Sequence, residues 1–140
     1  MIGQGTSSLE ILNQLRSKKM TCVEAVTASL ARIEETNKDT NACVEILSDS
    51  ALASALESDK RIAENDARPL EGLPILVKCN IEVKGTITSG STVALKDWRP
   101  TVNAPIVDLL KNAGAIVVAK TNMPEMAFDF CGRSFLHGDC

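Results

Sequence analysis

Two short apolar runs, Pro-Ile-Leu-Val at residues 74–77 and Ala-Ile-Val-Val-Ala at residues 115–119, each stop on a lysine, Lys78 and Lys120. Runs this short, rich in β-branched residues, read as buried strands. One helical stretch lies between them. Strand, helix-bearing crossover, strand is the unit that builds a parallel sheet, with a right-handed connection, and it makes the chain α/β. It also brings both lysines to the same edge of the sheet. In open α/β sheets the functional groups sit just past the carboxyl ends of the strands, so Lys78 is the first candidate for chemistry. The plainer alternative is a solvated charge at a strand end.

The flanking sequence supplies the rest of the layers. Ser7-x-x-Glu10 and Thr21-x-x-Glu24 both fit the capping box. Behind them Leu9, Ile11, Leu12 and Leu15, then Val23, Val26, Leu30 and Ile33, form apolar stripes of two packing helices. A polar break at residues 37–41 leads to a strand at residues 42–47, and an alanine-rich helix then runs to about Asn65. The crossover helix is expected to start with Asn103 as its cap and Pro105 in its first turn, and to end at Gly114. Residues 81–92, rich in glycine and hydroxyls, read as turns. Residues 1–70 thus form a mainly helical N-terminal region, and residues 71–140 the sheet-forming part of the same single domain.

At 140 residues there is room for one core. A net charge of −3 without a lysine- or arginine-rich cluster argues against direct nucleic-acid binding. No apolar run nears the ~20 residues that cross a bilayer. The stretch Met1-Ile-Gly-Gln-Gly-Thr6 lacks the features of a secretory signal, so a cytoplasmic location is expected. The five cysteines form an odd set with no close C-x-x-C pair, which supports neither a disulfide framework nor a zinc site. Cys131, His137 and Cys140 could be drawn as a partial metal site, but three ligands at the end of a chain are more often coincidence. Hydrolase templates such as G-x-S-x-G and H-E-x-x-H are absent, and His137 is the only histidine. A site without histidine needs another base, and a lysine serves if burial leaves it neutral.

Several segments together carry a family resemblance: Gly72-Leu-Pro-Ile-Leu-Val-Lys78-Cys-Asn80, Thr88-Ser-Gly-Ser91, Asn103-Ala-Pro-Ile-Val-Asp-Leu-Leu-Lys-Asn-Ala-Gly-Ala115 and Lys120-Thr-Asn-Met-Pro-Glu125. In order and spacing they resemble the N-terminal portion of the amidase signature family. Ala94-Leu-Lys-Asp-Trp-Arg-Pro100 is similar to its indoleacetamide and mandelamide hydrolase branch. The resemblance implies a mixed or parallel sheet with flanking helices, residues 71–140 forming the start of the signature core. It implies hydrolysis of a small carboxylic amide to acid and ammonia by a Ser–cis-Ser–Lys triad, with no metal or organic cofactor. Lys78 matches the triad lysine. Ala127 and Phe128, in the segment after Asn122, match the substrate-pocket wall nearest a bound acyl group; core packing at a helix start is the competing reading for both.

Two departures qualify the match. Both triad serines of the family lie in a glycine- and serine-rich tract well downstream of the lysine. Here Ser89, Ser91 and Ser134 are the only serines after Lys78, none in that context. The chain is therefore expected to be a partial, truncated amidase domain, inactive alone, whose exposed sheet edges favour self-association or homo-oligomer formation. Cys79 stands where the family usually has aspartate. Two other functions share these features. One is that of an A-type amidotransferase component working on tRNA-linked glutamate, from which Trp98-Arg-Pro100 points mildly away. The other is a non-catalytic remnant or interaction module.

Overall fold

Residues Ile116–Thr121 form the central strand, β3, and they are apolar without interruption up to Ala119 because both faces of the strand are covered. Ile116 and Val118 face a large core of helical side chains that includes Leu15, Val26 and Ala55, while Val117 faces a smaller one with Val77, Val83 and Val107. The computed structural model describes residues 5–140; residues 1–4, part of the stretch read for a signal, lie outside the described residues. The helices and strands run in the order α1 (Ser8–Arg16), α2 (Cys22–Thr40), β1 (Cys43–Ile46), α3 (Ser48–Ala63), β2 (Pro74–Lys78), α4 (Pro105–Asn112) and β3. The sheet order is β1-β3-β2. The expected parallel pair is present between β2 and β3, with Val77 opposite Lys120 and Lys78 opposite Thr121, while β1 lies antiparallel on the other side of β3. This is the mixed sheet that the resemblance implied.

The helix starts follow the sequence in part. At α2 the box is complete: Glu24 N–H donates to Thr21 Oγ1 at 3.0 Å and Thr21 N–H to Glu24 Oε2 at 2.8 Å. At α1 only the Ser7 half forms, with Glu10 N–H donating to its hydroxyl at 3.2 Å. A third device at α2 was not legible. The Asp59 carboxylate, from α3, accepts from Cys22 N–H at 2.6 Å and Val23 N–H at 3.2 Å, satisfying donors that the helix itself cannot pair. Helix α2 also continues through the expected polar break and stops at Asn41 in a left-handed conformation, which asparagine tolerates better than most residues. The cap of α4 is corrected from Asn103 to Ala104. Asn103 is engaged elsewhere, accepting from Lys84 N–H at 2.7 Å and donating to Asp108 at 2.8 Å.

The starts of β2 and β3 are clamped around a buried carboxylate. Glu71 accepts from Ser58 Oγ at 2.6 Å and from Arg68 Nε at 2.6 Å. Burial alone would raise its pKa, but the hydrogen bonds from Arg68 and Ser58 outweigh that and hold it below the usual carboxylate range. Gly114, at φ +102°, lies so close that a Cβ there would sit 2.7 Å from Glu71 Cα and 2.8 Å from Glu71 N. Gly114→Ala therefore combines a left-handed backbone with a backbone collision, and a stability loss of roughly 2–4 kcal/mol is expected in urea denaturation. Gly85→Ala separates the two effects. With φ +78° and nothing within 4 Å of the new Cβ, it is expected to lose only about 1 kcal/mol.

Candidate functional site at the ends of the two parallel strands

Strand register separates the two lysines more sharply than their matching sequence positions imply. They share one end of the sheet, but Lys120 lies on the face of Val77 and Lys78 is one position further along. Lys120 is fully buried. Its Nζ donates to the Ile81 carbonyl at 2.5 Å and the Thr88 hydroxyl at 3.2 Å, with no carboxylate in ion-pair range among the described residues. Burial pushes its pKa down, an effect opposed in part by Cys79, Glu45 and Glu82. Sequence reading missed this role, for which the only signal was a lysine directly after a fully apolar strand.

Lys78, by contrast, is exposed at the end of the outer strand β2. Among the described residues, no carboxylate comes within 4.0 Å of its Nζ and no hydroxyl bonds to it. The loop that follows is held down by Lys120 through Ile81 and Thr88 and by Gly90 N–H donating to the Cys79 carbonyl at 3.1 Å. Lys78 is thus an exposed side chain on a fixed backbone.

Beneath the loop lies a polar cluster that no local motif announced. Ser89 and Ser91 are both fully buried. Ser89 Oγ lies 2.9 Å from His137 Nε2 and accepts from Ser91 N–H at 3.1 Å. Ser91 Oγ lies 3.4 Å from Cys79 Sγ, and Asn122 Oδ1 is at the same distance from it. Asn122 Nδ2 donates to the carbonyls of Asn41 at 3.1 Å and Gly138 at 3.0 Å, so the cluster straps residues 137–139 against the start of β1. These serines are engaged and closed to solvent, which suits them to structure and not to nucleophilic attack. His137 spends its ring nitrogen on Ser89, while Cys131 and Cys140 are exposed.

The proposed wall residues come after Asn122. Met126 and Ala127 both adopt left-handed conformations, φ +48° and +62°, within a single helical turn, Glu125–Ala127. That break leaves Ala127 and Phe128 exposed, Phe128 at 89%, so core packing does not describe either residue. Met126 N–H donates to the Gly90 carbonyl at 2.9 Å, and the Met126 side chain reaches a cleft of about 550 Å³ beyond β2. Asn80, Glu82, Leu95, Trp98 and Ile106 form much of its remaining wall.

Comparison with known proteins gives a consistent set of matches. The family model described as Amidase matches residues 24–138. The A-type subunit of glutamyl-tRNA(Gln) amidotransferase from Geobacter metallireducens is 36% identical over 129 residues, covering 92% of this chain and 27% of that protein. Its counterpart from Dehalococcoides mccartyi is 36% identical over 113 residues, covering 81% of this chain and 23% of its own. Among solved structures, the peptide amidase of Stenotrophomonas maltophilia superposes with a TM-score of 0.87 at 28% identity over 97% of this chain and 29% of that one. A fatty acid amide hydrolase does so with a TM-score of 0.88 at 25% identity, over 94% of this chain and 24% of its own. The chain thus spans about a quarter of the length of the relatives it matches. No described helix is long and apolar enough to cross a membrane.

The buried cluster carries a pH signature. Burial lowers the pKa of His137, so the folded state binds its proton less readily than the unfolded chain. Stability is then undiminished above the unfolded value of about 6.5 and falls as pH drops through it toward the lower folded value. Urea midpoints taken at about pH 7 and about pH 5 should show the loss, and His137→Gln should flatten it.

Proposed function

The chain belongs to the amidase family, and on that premise we propose that it supplies the lysine-bearing part of an amide-cleaving site in a protein of the A-type amidotransferase kind. The observation that carries this reading is the placement of Lys78 at the carboxyl end of β2, where no carboxylate among the described residues pairs with it. In this role polypeptide from outside this chain covers Lys78, the burial a lysine needs to serve as a base. Lys78 takes the proton of a serine nucleophile as the serine attacks the amide carbonyl. The proton passes to the leaving nitrogen, which departs as ammonia, and water hydrolyses the acyl-serine ester. Ser89 and Ser91 are closed off, so the nucleophile comes from outside this chain. Ala127 and Phe128, exposed past Met126, line the acyl side of the substrate. Residues 1–70 then act as the support and residues 71–140 as the start of the catalytic core of one domain, working in the cytoplasm.

The relatives matched by sequence favour the amidotransferase form, in which released ammonia serves to amidate glutamate on tRNA. A second reading, a free-standing amide hydrolase, is favoured by the likeness to peptide amidase over 97% of the chain. Neither needs a metal or an organic cofactor, because the proton acceptor is a side chain.

Both readings share one test. The matching segment of the Geobacter metallireducens protein is replaced by this chain, and ammonia release from a carboxylic amide is followed. The chimera is expected to be active, and Lys78→Ala in it to lower kcat by about a thousandfold or more with KM changed by only a few-fold. The isolated 140-residue chain is expected to release no ammonia. Retained activity in the Lys78→Ala chimera, or Lys78-dependent release by the isolated chain, contradicts the proposal. Amidation of glutamyl-tRNA(Gln) by the chimera separates the first reading from the second.

A further inference from the structure

The cleft beyond β2 has a composition that selects a ligand by charge. Its wall is mostly apolar, from Leu95, Trp98, Ile106 and Met126, and among the described residues Glu82 is the only lining side chain with a formal charge. The half-buried Glu82 carboxylate accepts from Trp98 Nε1 at 3.4 Å, so an aromatic ring and an anion stand side by side. Lys120 lies behind the floor, not in it. Its Nζ is occupied by the Ile81 carbonyl and the Thr88 hydroxyl, and burial weakens its hold on a proton. Among the described residues no arginine or lysine lines the space.

Both walls are fixed by backbone contacts. Ala104 N–H donates to the Glu82 carbonyl at 2.9 Å, and Thr88 N–H to the Trp98 carbonyl at 2.9 Å. Arg99, next to Trp98, reaches Glu45 at 2.8 Å and the Gly85 carbonyl at 2.7 Å. The backbone segments that carry the aromatic and the carboxylate are therefore held in place before any ligand arrives, which lowers the entropy lost on binding.

We infer that this cleft is a binding site for a small organic monocation with an apolar body, an alkyl- or arylammonium, which rests against Trp98 and is neutralised by Glu82. An ammonium on an indole face is attracted by the ring quadrupole, and a neighbouring carboxylate adds to that attraction while excluding anions. The apolar residues take up the ligand's hydrocarbon part. Binding of this kind depends neither on Lys78 nor on amide cleavage.

Trp98 is the only tryptophan and there is no tyrosine, so intrinsic fluorescence reports this site alone. The 140-residue chain is titrated with choline and with its uncharged carbon isostere, 3,3-dimethylbutan-1-ol. Saturable change in Trp98 emission is expected with choline, about tenfold tighter than with the isostere, and weakened by added salt. In Glu82→Gln, shown to be folded by circular dichroism, the preference for choline should fall to about threefold, the part the Trp98 ring supplies. Ile106→Lys, which sets a like charge in the wall, should abolish choline binding while leaving binding of the alcohol measurable. Equal affinity for the two compounds, an unchanged preference in Glu82→Gln, or no saturable response to choline overturns the inference.

Discussion

The parallel pairing of β2 on β3 is the constraint from which the other features follow. Because Val77 sits opposite Lys120, the two strand-terminal lysines occupy different positions relative to the core. One is driven inside and the other left outside. Burying an ammonium without a carboxylate is unfavourable unless its protons find acceptors, and Lys120 finds two, in Ile81 and Thr88. Those bonds fix the loop that leaves β2, and with it the backbone that presents Lys78. The buried lysine organises the loop, and the exposed one stands at the carboxyl end of β2.

The same loop closes a second set of contacts. Residues as distant in sequence as Cys79, Ser91, Asn122 and His137 meet beneath it, and every side chain in the set has a hydrogen-bonding neighbour. Such a network tolerates little rearrangement, since each member that loses a partner becomes a buried unsatisfied group. It therefore ties residues 137–139 to the start of β1 and leaves the outward side of β2, with Leu76 and Lys78, as the open part of the sheet. The amidase relatives are roughly four times as long as this chain.

Much of the fold could be read from local sequence because it rests on local rules. Thr21 and Glu24 form their box, Pro105 opens its helix, and the apolar runs at residues 74–77 and 115–119 became paired strands. What could not be read depends on tertiary register. The contrast between Lys78 and Lys120 turns on a one-residue offset and an irregularity in pairing between Ile75 and Leu76, which no pattern of apolar residues specifies. Asp59 looked like one more position on a helix face, yet it caps another helix 37 residues away in sequence. Ala127 and Phe128 followed what looked like a helix start, but left-handed conformations at Met126 and Ala127 stop it after one turn. The Ser89–His137 contact joins two residues 48 apart, beyond any spacing rule.

The central claim is that the Lys78 amine acts as a proton acceptor and not as a point charge. Chemical rescue tests it most directly. In a chimeric amidotransferase carrying this chain with Lys78→Gly, small primary amines such as methylamine can occupy the vacated space. The account predicts that ammonia release from a labelled amide returns in proportion to the free-base concentration of the added amine, and that tetramethylammonium, which carries charge but cannot accept a proton, restores nothing. Equal rescue by tetramethylammonium, or no rescue by any amine in a folded chimera, would contradict it.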